Sequence, residues 1–209
     1  VNELGYHDYP AAPKPGDTRK TVVFIGDSFL AGPGIENIDQ RFTGLAQTAV
    51  RDKFRLVNLG WGGYDTRDEL RSLKEFPYQV DQVILCWLPN DILPVADSLG
   101  YSYERQFQYA DLGIAGWIIE RSFALNYLYW SVSHDDFPEF LPKLKKLYDD
   151  PKVWEAHTKD LAAVHAYCIV RNIPLSVLIF PYPQNIASTR FATEKTERFF
   201  YGIFLRKKC

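Results

Sequence analysis

The sequence predicts an α/β fold with a mostly parallel sheet covered on both faces. Three observations carry that expectation. Four short, largely apolar runs at 22–25, 55–59, 82–87 and 175–180 are rich in branched and aromatic residues, and each stops at a cluster of Gly, Pro, Asn or Asp. Helical patterns separate the runs, and strands alternating with helices build parallel sheets. The chain has 209 residues, enough for one sizeable domain with a full core.

Residues 1–20 hold Pro10, Pro13, Pro15 and Gly16 among polar residues and read as an irregular lead-in. The first strand is expected over about 21–26. After the Gly32-Pro33-Gly34 loop a helix is expected from about Gln40, with Asp39 as its N-cap. Phe42, Leu45, Ala46, Ala49 and Val50 have the spacing of its buried stripe. The second strand, 55–59, runs into Gly60-Trp61-Gly62-Gly63-Tyr64, after which Thr66 and Glu69 have capping-box spacing. The third strand ends at Leu88-Pro89-Asn90-Asp91 and the fourth at Pro181-Tyr182-Pro183. Between these two strands lie roughly 85 residues, too many for a simple crossover. Helical stretches near 115–130 and 138–148 make residues 95–150 a helical insertion or lid within a single domain spanning 1–209. The next helix starts near Pro151, a first-turn proline, with Trp154, Leu161, Val164 and Cys168 inward. A last helix is expected over about 193–206.

Composition narrows the partners. A formal net charge of −2 points to neither nucleic acid nor an anionic membrane surface. No apolar run approaches the ~20 residues of a transmembrane helix, and no stretch reads as a signal peptide. Compartment and oligomeric state do not follow from the sequence. Cys86, Cys168 and Cys209 lack metal-like spacing, and the first two sit in apolar patterns as buried thiols. No metal motif appears, and no cofactor is expected.

The chemistry is expected where strands end. In open α/β sheets, ligands bind beyond the carboxyl ends of the strands. Gly26 allows a sharp turn there, and Ser28 then presents a hydroxyl as a candidate nucleophile. Taken alone, the Gly26-Asp27-Ser28 tripeptide favours reading Ser28 as a cap residue. Gly63 offers a backbone N–H with no side chain in the way, and Asn90 offers a side-chain NH₂. With the N–H of Ser28 these are the parts of an oxyanion hole, each worth on the order of 10²–10³ in rate. Asp27 is expected to fix the nucleophile turn and Asp91 to cap the segment after the third strand. Trp61, Tyr64 and Trp87 lie near the loops and could line a substrate groove or pack in the core.

This combination resembles the GDSL/SGNH hydrolase superfamily. Gly26-Asp27-Ser28-Phe29 matches the first block, with Phe in place of the usual Leu. Gly63 matches the glycine of the second block and Asn90 the asparagine of the third. The lead-in Asn2-Glu-Leu-Gly-Tyr is similar to members related to carbohydrate esterases and acetyltransferases. The resemblance covers about residues 1–185. It implies a flavodoxin-like, three-layer α/β/α fold, with strands in the order 2-1-3-4 and a fifth strand missing. It also implies a serine esterase acting through an acyl-enzyme, with Ser28 as nucleophile and Ser28, Gly63 and Asn90 as the oxyanion hole.

Two departures stand out. Leu88 occupies a place where the family has Gly. The family's Asp-x-x-His block after a fifth strand is absent up to Cys209, so the chain is read as truncated and the base as lying beyond it. His157 and His165 fall near the inward stripe of their helix and read as packed residues. His134 reads as a turn residue, and His7 has no assigned role. The expected substrate is a small or carbohydrate ester, acetyl esters above all. Two alternatives stay open: O-acetyl transfer from the same site, and a non-catalytic binding domain that has lost its base.

Overall fold

The computed structural model describes residues 1–101, 112–132, 137–182 and 189–205. Four strands, β1 (Lys20–Gly26), β2 (Phe54–Asn58), β3 (Gln82–Trp87) and β4 (Leu175–Ile179), form one sheet in the order β2-β1-β3-β4. Every pairing is parallel, and Val23 of β1 lies between Val57 and Val83. The order is the one expected. Around the sheet run α1 (Ser28–Ala31), α2 (Phe42–Val50), α3 (Thr66–Glu75), α4 (Leu93–Ser98), α5 (Gly113–Arg121), α6 (Phe123–Val132), α7 (Phe137–Asp149), α8 (Pro151–Val170) and α9 (Arg190–Leu205).

The larger core lies on one face of the sheet. There Val23, Ile25, Leu85 and Trp87 meet Leu70 and Leu73 of α3, Tyr148 of α7, and Leu161 and Val164 of α8. Each fully buried aliphatic side chain contributes about 1.5–3 kcal/mol. A smaller cluster on the other face joins Val22, Phe24, Leu56 and Cys86 to Leu30 of α1, with Ala46 and Val50 of α2 against it. Cys86 and Cys168 are buried thiols, as expected. Cys209 lies outside the described residues. Among the described residues, no helix is long and apolar enough to cross a membrane.

The helices correct several sequence expectations. In α2 the predicted stripe is rotated: Leu45 is 61% exposed, while Thr43 and Gly44 are buried. Backbone contact decides this, because a Cβ on Gly44 would stand 2.1 Å from the Ile38 carbonyl oxygen. Gln47 adds to the hold by donating to Phe54 O (3.0 Å) and accepting from Leu56 N (2.7 Å). Asp39 does not cap α2. Asn37 caps a 3-10 turn over Ile38–Gln40 instead, and Asp39 accepts from the Tyr9 hydroxyl. The helix expected near 115–130 is two helices. Ser122 breaks it in an extended conformation, and its hydroxyl accepts from Leu125 N at 3.4 Å to start α6.

The capping box of α3 sits one residue earlier than expected. Asp65 accepts from Arg67 N (2.9 Å) and Asp68 N (3.0 Å), and Asp68 reaches back to Asp65 N (3.5 Å). Glu69 is therefore free of capping duty. With Thr66, Leu70 and Leu73 it follows the i, i+3, i+4, i+7 stripe that faces the core. In α8 the buried stripe is Val153, His157, Leu161, Val164 and Cys168, with Val153 rather than Trp154 at its head.

The lead-in is irregular, as expected, but it is tied down. Asp8 is buried and accepts from Asn58 N at 2.7 Å. Arg41 donates to the His7 carbonyl at 2.8 Å, and buried Arg55 donates to Ala11 O and, at 2.8 Å, to Thr21 Oγ1.

Candidate functional site

Ser28 opens α1 directly at the carboxyl end of β1. Asp27 is the N-cap: its Oδ1 accepts from Phe29 N at 2.9 Å. Its Oδ2 receives the Ser28 hydroxyl at 3.5 Å and the Asn90 side-chain Nδ2 at 3.2 Å. One buried oxygen thus ties together two side chains 62 residues apart in sequence. Asp27 is 2% exposed. Burial pushes its carboxyl up from the usual range, against the hydrogen bonds from Phe29, Asn90 and Ser28 that favour the charged form. Gly26 has no left-handed backbone. It is needed because a Cβ there would stand 2.9 Å from Cys86 Cβ and 3.0 Å from Leu30 Cβ.

The second loop is fastened beside α1. Asn58 donates to Leu30 O (2.9 Å) and Thr43 Oγ1 (3.2 Å) and accepts from Gly60 N (2.8 Å). Gly60 lies so close to α1 that a Cβ would stand 2.6 Å from Leu30 Cγ and 2.7 Å from Ala31 N. Trp61 N donates to Gly26 O at 3.3 Å. Gly63 follows with φ +85°, a conformation that suits glycine. It is exposed, and its N–H has no acceptor among the described residues. Trp61, 48% exposed, and half-buried Tyr64 stand at the rim, with Tyr6 edge-on to Trp61 at 6.2 Å. A cavity of about 240 Å³ opens here, lined in part by His7, Arg41, Asn58, Gly60 and Trp61. A larger one of about 520 Å³, lined by Trp154, Phe191 and Lys195 among others, contains none of the site residues.

The third loop places Asn90. Leu88 is extended (φ −126°, ψ 149°) and 1% exposed, so this position needs no glycine. Asp91 Oδ2 accepts from Leu88 N at 3.0 Å, which closes the turn around Pro89 and Asn90. Tyr148 donates to Pro89 O at 2.9 Å. The Asn90 amide has two N–H groups, and Asp27 takes one. Trp87 corrects the groove expectation. It is 0% exposed, and its indole N–H donates to His157 Nε2 at 3.3 Å. Trp87 belongs to the core, with Tyr148 edge-on at 6.4 Å.

Hydrogen bonding settles two histidines. Arg41 Nη2 lies 2.6 Å from His7 Nδ1. A guanidinium only donates, so Nδ1 accepts and the ring proton sits on Nε2. His7 therefore has no free basic nitrogen. His157 is 0% exposed, and burial pushes it down to about 3. His165 packs its ring 5.3 Å from Phe204 on α9. His134 lies outside the described residues.

His157 carries a pH consequence. Its native-state value lies below the unfolded one, so the unfolded chain binds the extra proton between about pH 6.5 and 3. Stability from this residue is full above that window and falls as pH drops, by about 1.4 kcal/mol per pH unit. Glu69 and Asp91, raised by burial, act with the opposite sign above the carboxylate range. Comparison with His157→Gln, which keeps an acceptor for Trp87, isolates the histidine. The expected result is that wild type loses about 3 kcal/mol more than the variant between pH 6.5 and 4 in urea unfolding. Parallel pH profiles would contradict a buried, uncharged His157.

Sequence reasoning missed three participants. Asp8 and Asn58 fix the second loop, and nothing local in the lead-in indicates that it docks there. Glu69 is 0% exposed on the core-facing stripe of α3. The signal for it lay in its place on the stripe of Leu70 and Leu73, masked by the apparent Thr66–Glu69 box. Among the described residues, no cluster of His, Cys, Asp and Glu could hold a metal ion.

No family model matches the chain, and no curated protein matches it. Solved structures do. A variant of the esterase AlinE4 is 17% identical, with 92% of this chain and 73% of that one covered and a TM-score of 0.47. A lipase/acylhydrolase from Enterococcus faecalis is 17% identical over 75% of this chain and 74% of that one, with a TM-score of 0.35. A lipase from a goat rumen metagenome is 14% identical over 86% and 73%, with a TM-score of 0.37. These three are by name an esterase, a lipase/acylhydrolase and a lipase, and AlinE4 is described as an SGNH-hydrolase family esterase.

Proposed function

We propose that the chain carries the nucleophile and oxyanion hole of a serine esterase of the SGNH type, acting on small or carbohydrate acyl esters. The observation that carries this reading is the shared Asp27 oxygen, which draws the Ser28 hydroxyl and the Asn90 amide to one point. The Gly63 N–H, exposed and without an acceptor among the described residues, supports it.

In this reading Ser28 Oγ attacks the ester carbonyl carbon and its proton passes to a general base. The negative oxygen of the tetrahedral intermediate is met by the Ser28 N–H, the Gly63 N–H and the second Asn90 N–H. Collapse breaks the bond to the alcohol, which leaves with a proton, and the acyl group stays on Ser28 until water removes it. Asp27 does not itself accept the proton. It orients Ser28 and Asn90 while capping α1. The rings of Trp61 and Tyr64 offer a face to a sugar or acyl group at the rim.

Asn90→Ala tests the hole separately from the nucleophile. Hydrolysis of a small aryl acetate by the protein expressed from its full reading frame is expected to lose about 10²–10³ in kcat, with KM little changed. A kcat within twofold of wild type would remove Asn90 from the mechanism.

A further inference from the structure

His7 and Arg41 line the cavity of about 240 Å³ beside Trp61, and the mechanism above leaves both unused. Arg41 is buried, at 6% exposed, and four hydrogen bonds hold its guanidinium. Nε and Nη2 donate to Ile35 O at 3.1 and 2.9 Å, and Nη1 donates to His7 O at 2.8 Å. The other Nη2 proton goes to His7 Nδ1 at 2.6 Å. The two carbonyl contacts already tether the lead-in. The contact to Nδ1 adds something different: it sets the imidazole in one orientation and one tautomer. The outer edge of that ring is then a single fixed donor, Nε2–H. His7 is exposed, and its Nε2 has no partner among the described residues. The cavity adjoins the nucleophile. Its wall includes Ala31 of α1, whose N–H donates to Asp27 O at 3.0 Å, and Trp61, whose backbone N–H donates to Gly26 O at 3.3 Å. At the rise of a helix, Ala31 stands about 4.5 Å along the axis from Ser28.

Size and lining say what fits. Sites for drug-sized ligands hold about 300–1,000 Å³, so this smaller cavity suits one ring. The Trp61 ring supplies a flat apolar wall, steadied by Tyr6 edge-on at 6.2 Å and by Tyr64 at 6.5 Å. His7 supplies the aimed donor. A hydrocarbon ring seated there strips water from the Nε2–H and returns no acceptor, which a ring with an oxygen does. We propose that this cavity is a specificity subsite for one oxygen-bearing ring of the ester, seated against Trp61 with its oxygen accepting from His7 Nε2. His7 is the residue that discriminates, and Arg41 is the positioning residue that fixes its proton on the outer nitrogen. The inference rests on the esterase reading and adds to it the part of the substrate that is selected. The same chemistry serves a ring in the alcohol and a ring in the acyl group, and the test has an arm for each.

The alcohol arm compares tetrahydropyranylmethyl acetate with cyclohexylmethyl acetate; the acyl arm compares the ethyl esters of tetrahydropyran carboxylic acid and cyclohexanecarboxylic acid. Each pair differs by one ring oxygen. In one arm the protein expressed from its full reading frame is expected to favour the oxygen ring by about threefold to tenfold in kcat/KM, the worth of one hydrogen bond, with the difference in KM. His7→Phe keeps a ring of similar size and the backbone carbonyl that Arg41 uses, and its ratio is expected to fall to about one. The arm that shows this says which part of the ester occupies the cavity. No preference in either arm, or a preference that His7→Phe retains, overturns the proposal. A binding measurement needs no turnover. Nitrogen NMR of the Ser28→Ala protein is expected to show His7 neutral with its proton on Nε2, and titration with tetrahydropyranylmethanol is expected to move that resonance. A proton on Nδ1, or no movement, overturns the proposal. If His7→Phe fails to fold, the titration decides alone. Failure of the esterase reading is seen separately, as equal turnover by wild type and Ser28→Ala, and leaves the titration standing by itself.

Discussion

Replacing Ser28 by alanine is expected to lower aryl acetate hydrolysis by on the order of 10⁴-fold or more, down to what the remaining donors sustain. The fold should not notice. Ser28 is half-buried, and its hydroxyl makes one long contact of 3.5 Å to Asp27. Alanine is a good helix former at the first turn of α1, and the cap from Asp27 to Phe29 N is untouched. The melting temperature of Ser28→Ala should therefore match that of wild type while activity vanishes. That combination is what a nucleophile predicts and a capping serine does not. The measurement is the hydrolysis rate of the full gene product and of its variant at matched concentration. Equal rates would end the esterase reading and leave an α/β domain whose half-buried serine has another use.

Trp87→Ala is expected to produce the largest change in stability, about 3–5 kcal/mol. The ring is fully buried at the end of β3, against Tyr148 at 6.4 Å and His157 at 6.3 Å. Its removal opens a void and also takes away the donor to His157 Nε2, leaving both nitrogens of a buried imidazole without partners among the described residues. Trp87→Phe should fall between the two, since it restores most of the packing but not the N–H. Urea unfolding reads both. A loss below about 1 kcal/mol for the alanine variant would contradict a packed ring and return Trp87 to the substrate groove. Tyr148 links this core to the site, because its hydroxyl supports Pro89. Activity of Trp87→Ala should consequently drop along with stability.

The four strands and the loops at their carboxyl ends were legible in the sequence, and the family resemblance implied their order. Strand identity is local information: a short apolar run bounded by Gly, Pro, Asn and Asp states both where backbone pairs and where it must turn. Parallel order then follows from helices too long to be hairpin loops. Ser28, Gly63 and Asn90 needed only their place after a strand to become candidates.

Tertiary structure decided which way the faces point and which distant groups share an atom. Periodicity locates a helical stripe but not the neighbour that receives it, so the backbone approach at Gly44 turned α2 away from Leu45, and Leu70 with Leu73 carried Glu69 inward. A strand covered on both sides has no polar face to betray direction, so Trp87 could be read as rim or core until α7 and α8 packed over it. The oxygen of Asp27 that receives both Ser28 and Asn90 is a meeting of side chains far apart in the chain. Such a meeting depends on how the β1 and β3 ends sit side by side, and no spacing within either segment encodes it.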